Sequence, residues 1–184
     1  MDIQLSSTPW PLVPLSRQVT VVITEGRETA KITELIGSLA MRGSLYLMAG
    51  SDWIPAYALT RMVRRQTPHV RQVLDGLRLA RAFTCYQMRE LLESAPPDRD
   101  PLLVLDIMST FFDQDIPVET RARVFGQCCR QLQRLAVYRP VAVIAQKKLP
   151  LSDFEQFEQQ LTAITGQVVR AVMEVEPVLQ PALF

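Results

Sequence analysis

Apolar residues recur along this chain with two alternating periods, and that alternation sets the fold class. Gln18–Thr24 (QVTVVIT) is a short β-branched run, the pattern of a buried strand. Between Glu28 and Met41 the apolar positions fall at 32, 35, 36 and 39, which is helical spacing. Ser44–Ala49 (SLYLMA) predicts a second strand, Pro55–Arg65 a helix with proline tolerated in its first turn, and Leu77–Ala82 (LRLARA) a third strand by alternation. Thr84 is placed to cap a helix running to Ser94, because its hydroxyl can accept an orphan backbone N–H. After the loop Ala95-Pro96-Pro97-Asp98, Pro101–Asp106 (PLLVLD) is a nearly all-apolar strand ending in a carboxylate. Val118–Val137 predicts a long amphipathic helix, with Val124, Cys128, Leu132, Leu135 and Ala136 on one side and Arg123, Arg130 and Arg134 on another. Val141–Ala145 (VAVIA) is a strand, Ser152–Thr165 a helix and Gln167–Val175 a final strand.

Strand and helix therefore alternate about six times, and no Asn-Gly or Asp-Gly joins two strand-like runs. All-apolar strands are buried on both faces, so the expectation is an α/β fold: a mostly parallel sheet with helices on both faces and right-handed crossovers. The 184 residues fit one domain over 18–184. Residues 1–17 carry Pro9, Pro11 and Pro14 and read as an extended arm, with Trp10, Leu12 and Val13 as apolar anchors.

Composition narrows the function classes. Hydrophobic residues make up 48% of the chain, which excludes disorder, yet no apolar run is long enough to span a bilayer. No membrane association is expected, and with no export signal the expected location is the cytoplasm. The cysteines, Cys85, Cys128 and Cys129, form no CxxC pair, and the single histidine, His69, follows Pro68 in a loop. The ligand types and spacings of a zinc site are thus missing, and reduced, buried thiols are expected. Net charge is only +1 but uneven: residues 42–90 hold eight arginines (42, 61, 64, 65, 71, 78, 81 and 89) against Asp52, Asp75 and Glu90. Arginine favours bidentate contacts to phosphate or carboxylate.

In parallel sheets, ligands bind beyond the carboxyl ends of the strands. The segment leaving the first strand is Thr24-Glu25-Gly26-Arg27-Glu28-Thr29-Ala30-Lys31-Ile32-Thr33. A phosphate-binding loop of the form GxxxxGK[ST] fits in neither register. With Lys31 as the lysine, Glu25 and Ala30 replace the glycines and Ile32 the metal-binding hydroxyl; starting from Gly26, Lys31 falls on the second glycine. Glu25 and Glu28 would also oppose a polyphosphate, at up to roughly 4 kcal/mol for a contact near 4 Å at an effective dielectric of about 20. If nucleotide binds, Gly26, Arg27, Lys31 and Thr33 are the residues in position to meet it. Asp106 reads either as a magnesium-holding carboxylate or as an ordinary polar strand end, and Asp52 as a cap for the next helix.

Four segments in order resemble the RecA/KaiC superfamily, in particular the archaeal and eukaryotic strand-exchange recombinases and their paralogues. They are VLDGLRLARAFTCYQMRELLES (73–94), PLLVLDIMSTFF (101–112), ETRARVFGQCCRQLQRLA (119–136) and VAVIAQ (141–146), within a match over about residues 18–175. The resemblance implies a RecA-like P-loop NTPase core with strand order 3-2-4-5-1-6, counted from the strand at 18–24. It implies ATP with magnesium as cofactor, Asp106 at the metal position and Gln146 at a nucleotide-sensing position. It also implies DNA contacts near Arg121, Arg123, Lys147 and Lys148.

The chain departs from that family in its phosphate loop, in lacking the catalytic glutamate after the second strand, and in the short segment after Gln146. These departures point away from an enzyme and toward an accessory factor in DNA recombination or repair. A nucleotide-binding regulator or weak ATPase is the alternative. Partners on this reading are DNA and a recombinase or a second copy engaged through the N-terminal arm.

Overall fold

The computed structural model describes residues 3–4, 17–26, 28–50, 54–147, 151–165 and 167–171. Seven strands form one sheet: β1 (Ile3–Gln4), β2 (Val19–Thr24), β3 (Leu45–Ala49), β4 (Leu77–Arg81), β5 (Leu102–Leu105), β6 (Val141–Gln146) and β7 (Gln167–Ala171). Their order is β1-β7-β2-β6-β5-β3-β4, and every neighbouring pair is parallel. The helices are α1 (Thr29–Ala40), α2 (Ala56–Gln66), α3 (Val70–Asp75), α4 (Cys85–Ser94), α5 (Val118–Ala136) and α6 (Leu151–Thr162), with a 3-10 helix at Ile107–Phe111.

The two-residue period of a strand divides its all-apolar runs between two cores. Val21, Val104 and Val143 join the core beneath α4, α5 and α6, which also holds Met88, Leu92, Phe125 and Leu132. Val22, Leu103, Leu105, Ala142 and Ile144 point the other way, to Ile32, Ile36, Leu59 and Val63 of α1 and α2. On the first face Phe111, Phe125 and Phe157 form an aromatic cluster, with Phe125 at 4.9 Å from each of the other two rings. Phe111 is fully buried there.

Local signals account for most boundaries. Thr84 caps α4 as expected and completes a capping box, its side chain accepting from the Gln87 N–H while the Gln87 side chain accepts from the Thr84 N–H. Arg134, expected on a solvent face of α5, instead donates to the carbonyls of Leu92 and Glu93 at the end of α4. The position before α2 belongs to Pro55, which offers no side-chain cap, and Asp52 lies outside the described residues.

Two short elements carry no sequence period. α3 is six residues with none buried, and the 3-10 helix is five. The arm expected over 1–17 contributes Ile3–Gln4 as a strand beside β7 of the same chain. Trp10, Leu12 and Val13 lie outside the described residues, as do 172–175 of the expected last strand. Among the described residues no helix is long and apolar enough to cross a membrane.

Candidate functional site at the carboxyl edge

β6 lies between β2 and β5, so their carboxyl ends are neighbours. Thr24 and Gln146 are register partners, and the Lys147 N–H donates to the Thr24 carbonyl at 2.8 Å. The Asp106 N–H donates to the Ile144 carbonyl at 2.7 Å. The backbones of Thr24, Gln146 and Asp106 thus meet at one edge, about 5 Å separating adjacent strands.

The turn from β2 to α1 is Glu25–Glu28, four residues. The Glu28 N–H is turned inward to the Gly26 carbonyl at 3.1 Å. The Lys31 ammonium lies 3.3 Å from the Glu28 carboxylate. Thr33 is buried and its hydroxyl donates to the Thr29 carbonyl at 2.7 Å, a bond along its own helix. Arg27 lies outside the described residues. Of the residues placed to meet a nucleotide, the lysine is neutralised by a carboxylate and the hydroxyl is committed to the helix. Glu28 would oppose a triphosphate at this turn, and Gly26 is the one glycine its sequence offers for cradling phosphate.

Asp106 has a structural duty as well as a candidate one. It adopts left-handed backbone (φ 50°, ψ 44°), a conformation that aspartate tolerates better than most residues. This reverses the chain from β5 into the 3-10 helix, where the Asp106 carbonyl accepts from the Ser109 N–H and hydroxyl at 3.1 and 2.9 Å. The same hydroxyl reaches the Gly50 carbonyl at 2.6 Å. Gly50 must be glycine here, since a Cβ would stand 2.3 Å from the Asp106 carbonyl oxygen. The position just after β3 is filled by crossing backbone.

The residues expected to face DNA separate. Arg123 and Lys147 are exposed, and Lys148 lies outside the described residues. Arg121 does not reach solvent. It is buried and donates to the Ile116 and Phe111 carbonyls at 3.0 and 2.8 Å, and to the Asp153 carboxylate at 2.9 Å. It ties the 3-10 helix, α5 and α6 together, and the sequence gives no hint of this because its carboxylate partner, Asp153, is 32 residues away.

Sequence reasoning also passed over Arg139 at the opposite edge. Its guanidinium is fully buried, donates to the Pro96 carbonyl, pairs with Asp98 at 2.5 Å and lies 5.6 Å from the Tyr46 ring centroid. Arg78 reaches the same Asp98 and Tyr46. The cluster fastens the loop before β5 onto β3.

The three cysteines are free and buried. Burial pushes the Cys129 thiol up to about 12, and raises Cys128 and Cys85 as well. Thiolate chemistry is suppressed by that desolvation. No protein-family model matches the sequence, and no curated protein is significantly similar to it.

Proposed function

We propose that this chain is a degenerate RecA/KaiC-type domain that serves as a binding scaffold, an accessory factor in DNA recombination or repair. The observation that carries the reading is the β2–α1 turn, which has one glycine and is already occupied by the Glu28–Lys31 pair. The fold assignment has support from the sheet. Counted from the Val19–Thr24 strand, the six longer strands lie in the order 3-2-4-5-1-6 that the resemblance implies. Arg123 and Lys147, both exposed, are consistent with a phosphate-facing carboxyl side.

Titration calorimetry with ATP and magnesium tests the scaffold reading. No heat is expected at millimolar nucleotide. A low-salt gel shift and a pulldown with a strand-exchange recombinase test the accessory role, and retention of neither DNA nor recombinase rejects it. A second reading, a nucleotide-binding regulator or weak ATPase, draws on the meeting of Asp106 and Gln146 at one edge. Measurable ATP affinity that disappears in Asp106→Ala would favour it.

A further inference from the structure

The basic residues of α2 lie on a different surface from the carboxyl edge. At about 100° per residue, Tyr57, Arg61, Arg64 and Arg65 fall within roughly a quarter to a third of the helix circumference. Leu59 and Val63, the buried residues of α2, lie opposite. All four ridge residues are exposed, and Tyr57 is 81% exposed, the most of any large hydrophobic side chain among the described residues. Shallow grooves flank the ridge on both sides, lined in part by Ala56 and Thr60 and by Ala58 and Met62.

Local explanations cover only part of this. Arg64 and Arg65 sit in the last turn, where a cation complements the helix dipole. That does not account for Arg61, or for an aromatic ring left in water one turn before it. α2 has no acidic residue, and none of its three arginines enters an ion pair or hydrogen bond among the described residues. Arg121, Arg139, Arg78, Arg89 and Arg71 have carboxylate partners; other exposed arginines, Arg42, Arg81, Arg99, Arg123 and Arg130, stand singly along the chain, whereas α2 gathers three on one face beside an exposed ring. An anionic membrane would favour an amphipathic helix with a free apolar face, and that face of α2 is spent on the core.

We infer that the α2 ridge binds single-stranded nucleic acid, with Arg61, Arg64 and Arg65 on successive phosphates and a base stacked on Tyr57. Charge complementarity supplies the phosphate contacts and the exposed ring supplies the stacking platform. The inference rests on the accessory DNA role for the choice of polymer, and it moves the interface from the carboxyl edge to α2.

The test is fluorescence anisotropy of the full chain with a labelled oligothymidine of about 20 nucleotides, between about 50 and 200 mM salt. Replacing all three arginines by alanine is expected to weaken binding at least about tenfold at low salt and to flatten the log K against log salt slope by about 2. Tyr57→Ala should weaken binding about tenfold with the slope unchanged, and Tyr57→Phe should restore it. A thermal melt of each variant confirms folding. If the wild type binds but the triple variant binds equally, while Arg123→Ala with Lys147→Ala abolishes binding, the ridge is overturned and the DNA role stands. If the wild type binds no oligonucleotide, the DNA role falls with it. Duplex binding unaffected by Tyr57→Ala, or binding only to phosphatidylserine vesicles, also overturns the ridge.

Discussion

The two faces of the sheet are built for different purposes. The face under α4, α5 and α6 buries an aromatic cluster, three thiols and a guanidinium whose partners come from the 3-10 helix, the loop before α5, and α6. The face under α1, α2 and α3 is aliphatic, its α2 fully buries only Leu59 and Val63, and its α3 packs Val70 and Val73 only partly buried against it. Side chains on the first face are fixed by one another. On the second, most of α2 is left to solvent and carries unpaired charge. Stability is concentrated on one side of the sheet and available surface on the other.

The largest blow to this contrast would come from core truncations compared across the sheet. Phe125→Ala is expected to cost about 3–5 kcal/mol by urea denaturation, and Leu59→Ala on the other face about 2–3 kcal/mol. Equal costs would mean that both faces are packed alike. Next is Arg121→Met, expected to cost about 2–3 kcal/mol because Asp153 and two carbonyls lose their donor. Loss of nucleic-acid binding without loss of stability would return Arg121 to the interface.

A smaller effect separates the two roles of Asp106. Asp106→Val should cost about 1–2 kcal/mol through its left-handed backbone, whereas Asp106→Asn should stay within about 0.5 kcal/mol. Similar losses in both would mean that the charge, not the backbone, matters. The mildest test uses alkaline pH. The folded Cys129 thiol is raised to about 12, so the unfolded chain releases its proton first and binds fewer protons above its ordinary value near 9. The Cys129 contribution to stability should therefore be constant below about pH 8 and fall on the order of 1 kcal/mol by pH 10. The urea midpoint of Cys129→Ala should decline less steeply over the same range.

The strands and most helices were legible because their signals are local. Val19–Thr24 is β-branched throughout, and Thr84 with Gln87 forms a capping box within four residues. Asp106 was legible as a strand-ending carboxylate, but its left-handed turn was not, since the need for it arises from backbone passing over Gly50. Arg121 was expected beside DNA and Arg139 was passed over, because a sequence shows their charge and conceals their acceptors.

What the chain alone determined was periodicity: which residues alternate, which recur every third or fourth position, and hence a parallel sheet layered with helices. Tertiary structure decided which charges are spent and which are free. For Arg78, Arg121, Arg134 and Arg139 a decisive partner lies 20 or more residues away, and only folding brings it within hydrogen-bond reach.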